Sequence, residues 1–277
     1  MFSKKPRLIA TDMDGTAIKN DHLTMPERNI KALARAAAEG IYVVPVTGRS
    51  LDVLPGGILP FYSHVITANG ASVYDVRAGK TILTRHLSAE EARIAWSILA
   101  QTPDMIELFV SNKMGIDRAH FERIEEIPVP PHHHEYYAHG SPLIVDSYEE
   151  FIQTDATGIE KFYIPLNTSP ETERVREELK ATGLFEVSTS GDRNLELNKR
   201  GVNKGLALCD LCRTLGVDMS DVVAFGDEAN DLTMLQSAGY GVAVANAAPA
   251  LLASAEYKTL SNEDAGLADF LEKNFGI

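Results

Sequence analysis

The stretch LIATDMDGTAIKND, residues 8–21, places Asp12 and Asp14 between an apolar run and a Gly-Thr step. The run Leu8-Ile9-Ala10-Thr11 lacks polar alternation and reads as a strand buried on both faces, as in a parallel sheet. Ending such a strand on two carboxylates is costly. An unpaired charge beside a core raises its pKa or moves to solvent, and neighbouring charges repel. A bound cation would remove the conflict, and so would a solvated surface turn. The rest of the chain has to decide between them.

The flanking sequence extends the strand into an alternating pattern. MPERNIKALARAAAEG (25–40) reads as a helix closed by Gly40, and IYVVPVTGR (41–49) as a second strand. Pro45 cannot donate to a ladder, so a bulge or an unpaired position is expected there. In HVITANGASVYD (64–75), Asn69-Gly70 between two apolar runs signals a hairpin. After a middle region, NKGLALCDLCRTLG (203–216), DVVAFGD (221–227), NDLTMLQSAG (230–239) and YGVAVAN (240–246) return to helix, strand, helix and strand. The two outer parts, residues 1–82 and 191–277, thus predict one α/β domain with a doubly wound, mostly parallel sheet.

The middle, residues 83–190, reads as an inserted α+β cap. SAEEARIAWSILAQ (88–101) predicts a helix carrying Trp96 as a packing residue. EKFYIPLN, SPETERVREELKAT and LFEVSTSGDRNLELN predict a strand, a helix capped by Ser169 with Pro170 first, and a hairpin. Residues 111–150 bring prolines and histidines with little periodicity, and His132–His134 are expected on a solvated cap loop.

At 277 residues with 44% apolar content, the chain can bury a sizeable core. A net charge of −13 argues against binding a nucleic-acid backbone but not against a small phosphorylated substrate. No apolar run reaches transmembrane length and no leader-like segment opens the sequence, so a cytoplasmic protein away from membranes is expected. Cys209 and Cys212 form a C-x-x-C in mid-helix, expected to hold two reduced, mostly buried thiols.

Ligands of doubly wound sheets sit beyond the carboxyl ends of the strands, where Asp12, Thr47 and Asp227 all fall, with Asp231 four positions further on. Carboxylates converging on one rim call for a hard divalent cation, and oxygen-only ligands favour Mg²⁺ over zinc. VTGRS (46–50) adds the Thr47 hydroxyl and the backbone N–H groups around Gly48. Lys204, at a helix start, adds a cation. Together they suit phosphoryl transfer, where positioning and charge neutralisation dominate.

DMDGT (12–16), TGR (47–49), NKG (203–205) and GDEAND (226–231), in this order with a large insert between the second and third, resemble the haloacid dehalogenase superfamily of phosphatases. The likeness is greatest to its Cof-type, sugar-phosphatase-like branch, and ITANGA (66–71), GVAVANAAP (241–249) and NEDAGLADFLE (262–272) extend it. The resemblance implies a Mg²⁺-dependent phosphatase of small phosphorylated metabolites working through an aspartyl-phosphate. It implies Asp12 as nucleophile, Asp14 as general acid then base, and Mg²⁺ held by Asp12, Asp227 and the Asp14 carbonyl. Thr47, Gly48 and Lys204 would hold the phosphoryl group with Asn230 near it, Asp231 would orient Lys204 or a metal-bound water, and Arg49 would reach substrate or cap. The cap would set substrate choice. Ala17 and Pro45 depart slightly from the family pattern. The rival readings are a phosphomutase of the same fold and a non-catalytic phosphometabolite-binding or regulatory module.

Overall fold

The structure, a computed structural model, describes residues 4–166, 168–189 and 194–277. In chain order the first elements are strand β1 (Leu8–Thr11), helix α1 (Glu27–Ala38) and strands β2 (Tyr42–Pro45), β3 (His64–Thr67), β4 (Ser72–Asp75) and β5 (Lys80–Thr84). Then come α2 (Ala89–Leu99), β6 (Glu107–Val110), β7 (Lys113–Asp117), α3 (Arg118–Phe121), α4 (Pro131–His139), β8 (Leu143–Val145), α5 (Tyr148–Thr154), β9 (Ile159–Ile164), α6 (Pro170–Thr182), β10 (Phe185–Ser188) and β11 (Leu195–Lys199). The chain finishes with α7 (Lys204–Leu215), β12 (Val222–Gly226), α8 (Leu232–Ser237), β13 (Tyr240–Ala243), α9 (Pro249–Ser254), β14 (Tyr257–Lys258) and α10 (Gly266–Phe275).

The chain divides into two compact units: residues 1–48, 54–83 and 203–277, and residues 49–53 with 84–202. The first is built on a five-stranded sheet of order β14-β13-β12-β1-β2 in which every pairing is parallel. β1 lies inside the sheet, between β12 and β2, and is fully buried, as its apolar run requires. Side chains alternate across the sheet. Leu8, Ala10, Val222 and Ala224 enter one core with Ala207, Leu208 and Leu211 of α7 and Met234 of α8. On the opposite face Phe225 meets Phe270 of α10 edge-on at 5.7 Å. Helices therefore cover both faces.

The Asn69-Gly70 hairpin forms, with β3 and β4 paired antiparallel from His64↔Asp75 to Thr67↔Ser72. It belongs to a separate three-stranded sheet, β3-β4-β5, linked to β2 by the bridge Val46↔Ile66. Pro45 explains the break. Val46 N donates to Thr11 O in β1 and Thr47 N to Ile66 O in β3, so by alternation the missing N–H at Pro45 lies on the β3 side. The proline is paired toward β1 and unpaired toward β3.

The second unit has its own mixed sheet, order β10-β11-β9-β6-β7-β8, in which β7 and β8 run parallel and the other neighbours antiparallel. Its core gathers Leu99 of α2, Leu108 of β6, Ile152 of α5, Phe162 of β9 and Leu179 of α6. Helix α2 starts with a capping box between Ser88 and Glu91, and α6 with Ser169 accepting from Thr172 N at 3.3 Å. Trp96 packs edge-on to Tyr148 at 5.3 Å and donates to Glu149 Oε2 at 2.6 Å.

Two expectations change. The sequence reading returned to the core at residue 191, but β11 pairs with both β9 and β10, so the second unit runs to Val202. The hairpin turn at 190–193, with that boundary, lies outside the described residues. The histidine cluster is not on a loop. It opens α4, and His133 is buried, with Nδ1 2.9 Å from Glu107 Oε1 and its ring stacked on Tyr163. Glu107 is fully buried and also accepts from the Tyr137 hydroxyl at 2.6 Å, so the imidazole gives a buried carboxylate a partner. The His132 side chain lies outside the described residues. Among the described residues, no helix is long and apolar enough to cross a membrane.

Candidate active site

Neighbouring parallel strands bring the sequence-distant acids together. β1 pairs with β12 in the register Thr11↔Phe225, and Asp12 N donates to Phe225 O at 3.0 Å. Asp12 leaves β1 and Asp227 leaves β12 at the same sheet edge. Thr47 leaves β2 on the other side of β1 and is buried. Beyond β12 a short turn returns Asp231 beneath the strand end, where its Oδ2 accepts from the backbone N–H of Asp227 at 2.9 Å and of Glu228 at 3.1 Å. A Cβ on Gly226 would lie 2.5 Å from the Asp231 Cβ, so glycine is required for this return.

Lys204 is the first residue of α7, whose N-cap Asn203 accepts from Leu206 N at 2.8 Å. Its ammonium is buried and donates to Asp12 Oδ1 and Asp231 Oδ1, both at 2.7 Å. One carboxyl-group ligand atom each from Asp12, Asp227 and Asp231 fits within 4.8 Å of the others, and all three residues are buried. Asp231 thus joins the acidic cluster directly as well as orienting the lysine.

The charges do not balance. Three carboxylates against one ammonium leave a net of −2 in a buried space. Burial pushes the Asp12 carboxyl well above its usual range, Lys204 opposes this, and Asp231, Asp227 and Asp14 push further up. Burial and then Asp231 drive Asp227 up to about 7, although its bond from Thr16 works the other way. For Lys204, burial favours the neutral amine, but Asp12 and Asp231 outweigh it and hold the ammonium charged. A divalent cation fits this donor set in charge, and all-oxygen donors favour Mg²⁺.

The other predicted positions spread around this centre. Asp14 sits in the turn after β1 with extended backbone, followed by Gly15 in the left-handed region at φ 74°. A Cβ on Gly15 would come within 2.3 Å of Asp227 Oδ2. Asp14 is partly exposed, and its Oδ1 lies 2.9 Å from His22 Nδ1. Asn230 Nδ2 donates to Asn69 Oδ1 at 3.4 Å, so Asn69, buried and left-handed at φ 59°, is a partner of the site loop as well as a turn residue. Gly48 ends the first segment of the core unit. Arg49 groups with the second unit, its guanidinium donating to Val53 O at 3.3 Å. Cys212 is buried inside α7, and burial pushes its thiol up to about 12, away from thiolate chemistry.

Sequence reading missed three supports. The Thr16 hydroxyl donates to Asp227 Oδ1 at 2.6 Å, Asn246 Nδ2 donates to Gly15 O at 2.8 Å, and Ala248 N donates to Asp227 O at 2.8 Å. Thr16 stands inside DMDGT and Asn246 inside GVAVANAAP, so both were visible as letters. Their targets were not.

The haloacid dehalogenase-like hydrolase family matches residues 9–271. The chain is 29% identical to a 5-amino-6-(5-phospho-D-ribitylamino)uracil phosphatase, YcsE, of Bacillus subtilis over 95% of this chain and 93% of that one. It is 31% identical to the phosphatase YwpJ of the same organism, over 96% and 99%. Its fold is similar to that of a haloacid dehalogenase-like hydrolase from B. subtilis, with TM-score 0.81 and 26% identity over 97% and 99% of the two chains.

Proposed function

The chain belongs to the haloacid dehalogenase-like hydrolases and is one of their phosphatases; on that premise we propose that it hydrolyses sugar phosphates or similar small phosphorylated metabolites, with Asp12 as nucleophile and Mg²⁺ as cofactor. The observation that carries this reading is the buried set of Asp12, Asp227 and Asp231 around a single buried lysine. It supports a site that needs a dication and is then primed for a phosphate. A non-catalytic module would have no use for a carboxylate held this way. YcsE, named for a phosphorylated ribityl compound, supports a phosphate monoester on a polyol-like chain.

Asp12, Asp227 and the Asp14 backbone carbonyl would hold the ion, with Asp231 close by. When bound, it screens the charge of Asp12 and of the incoming phosphate, which otherwise repel. Lys204 grips Asp12 Oδ1, fixing the carboxylate plane so that the second oxygen attacks. That oxygen forms a bond to phosphorus as the ester P–O bond breaks, and the Asp14 carboxyl gives its proton to the departing alkoxide. Asp14, now a carboxylate, takes a proton from water as the water oxygen attacks phosphorus. Asp12 and inorganic phosphate are released. Thr47, the Gly48 amide, Lys204 and Asn230 cradle the transferring group. We assign the choice of leaving group to the cap and leave Arg49 to that unit.

The test is phosphate release over a panel of phosphorylated metabolites with Mg²⁺ and with chelator, using Asp12→Asn as the control. Release that needs metal and vanishes in the variant is expected. Isomerisation without release would replace the reading by a mutase, and full turnover in chelator would end the metal-dependent mechanism.

A further inference from the structure

Resting on the acid–base reading of Asp14, we propose that His22 is the positioning residue that aims the Asp14 carboxyl at the leaving group. His22 Nδ1 and Asp14 Oδ1 lie 2.9 Å apart, eight positions apart in sequence. The histidine backbone is left-handed at φ 58°, which β-carbon-bearing residues adopt at a cost. The surrounding turn imposes that conformation. Lys19 N donates to Thr24 O at 2.8 Å and His22 N to Lys19 O at 3.0 Å. Asp21 Oδ1 accepts from the N–H groups of Leu23 and Thr24, both at 2.9 Å. From the C-terminal segment, Asn262 Nδ2 donates to Ile18 O at 3.0 Å and to Asn20 Oδ1 at 2.9 Å, while Asn20 N donates to Glu263 Oε1 at 2.9 Å.

The pair returns little stability for that conformation. The side chains of His22 and Asp14 are 41% and 32% exposed, and exposed pairs contribute little to folding. What the bond does supply is direction. Nδ1 is the ring nitrogen nearer the backbone, so a fixed turn gives it a fixed place, and one anchored oxygen sets the plane of the carboxyl. Asp14 itself sits on a turn with extended backbone beside a left-handed glycine, so the bond ties a partly exposed carboxyl to a second, fixed turn.

Two replacements separate orientation from folding. His22→Gly accepts the left-handed backbone but removes the bond. His22→Asn also tolerates that backbone and places an amide nitrogen where Nδ1 stood. The assay compares kcat/KM, which reports steps up to leaving-group departure, for a sugar phosphate and for an aryl phosphate whose leaving group needs little protonation. His22→Gly should lower the sugar-phosphate value by about 10–100-fold and the aryl-phosphate value by no more than about threefold, because general acid help scales with the need for a proton. His22→Asn should recover most of the loss, and adding His22→Gly to Asp14→Asn should cost nothing further. Equal losses on both substrates, no recovery with Asn, or a full additional loss in the Asp14→Asn background would each overturn the proposal. If Asp14→Asn alone slows both substrates equally, the acid–base reading itself has failed, and that single variant shows it.

Discussion

Replacing Asp227 by Asn should make the metal-free protein more stable at pH 8. Burial, followed by the charge on Asp231, raises the folded-state Asp227 pKa from 3.8 to about 7. A carboxyl with a folded pKa above its unfolded one favours the fold while protonated. Its contribution is full below about pH 4, shrinks as the pH rises, and is gone above about pH 7. The gap of about 3 units corresponds to about 4 kcal/mol lost across that window, at 1.36 kcal/mol per unit. Part of this is shared with Asp12 and Asp231, so the gain from Asn, which carries no charge and can still accept from Thr16, should be about 2–4 kcal/mol at pH 8 and smaller at pH 5. That corresponds to a rise in Tm on the order of 5–15 °C. Thermal melts in chelator at both pH values test it, with a parallel series in Mg²⁺. Mass action should restore the wild-type stability in Mg²⁺ and leave the variant unmoved. A variant destabilised at both pH values, or stabilised equally at both, would refute the claim that crowded carboxylates set the energetics here.

Removing divalent metal should abolish phosphate release, and Mg²⁺ should restore it better than Ca²⁺, whose larger shell would draw in a second oxygen of Asp12; steady-state rates after exhaustive chelation check this. Asp14→Asn should slow a sugar phosphate far more than an aryl phosphate, and rapid mixing with the aryl substrate should show a stoichiometric burst of alcohol before slow turnover. Asp104 accepts from Thr168 N at 3.1 Å, Ser169 N at 3.2 Å and the hydroxyls of Thr168, Ser169 and Thr172. Asp104→Ala should therefore cost the second unit about 2–4 kcal/mol, read as a lower urea midpoint in the fluorescence of Trp96, the single tryptophan.

The core was legible because its signals are local and its geometry is general. An apolar run without alternation must be buried on both faces, and in a parallel sheet such runs deliver their last residues to one edge. That places Asp12, Thr47 and Asp227 together from the letters. Asp231 was read as a support, since a sequence cannot show that the turn after Gly226 folds it back under the strand. The cap was harder. His133 and Glu107 are partners 26 positions apart across α4 and β6, and neither segment has the periodicity that would announce the contact. The α4 sequence, PHHHEYYAH, has no clear apolar stripe, so proline and histidine suggested a loop. The boundary at 191 failed for a related reason. β11 looks like any short strand, and only its hydrogen bonds to β9 and β10 say which sheet owns it. The His22–Asp14 contact depends on a left-handed residue that is not glycine, which sequence rules assign to no one in advance.

The place of β1 inside the sheet, between β12 and β2, has a consequence for how this protein is made. β1 is synthesised well before its neighbour β12 and before Lys204, the buried partner of Asp12. Lys204 follows Asp12 by 192 positions, which at 5–20 residues per second is roughly 10–40 s of synthesis. Throughout that interval one edge of this buried strand lacks its partner, a hazard for nascent chains. The second unit, with its own sheet and core, is synthesised within that same interval. The order of the chain thus delays the site: Lys204, Asp227 and Asp231 all follow the second unit, so the acidic centre cannot assemble around Asp12 before they are made.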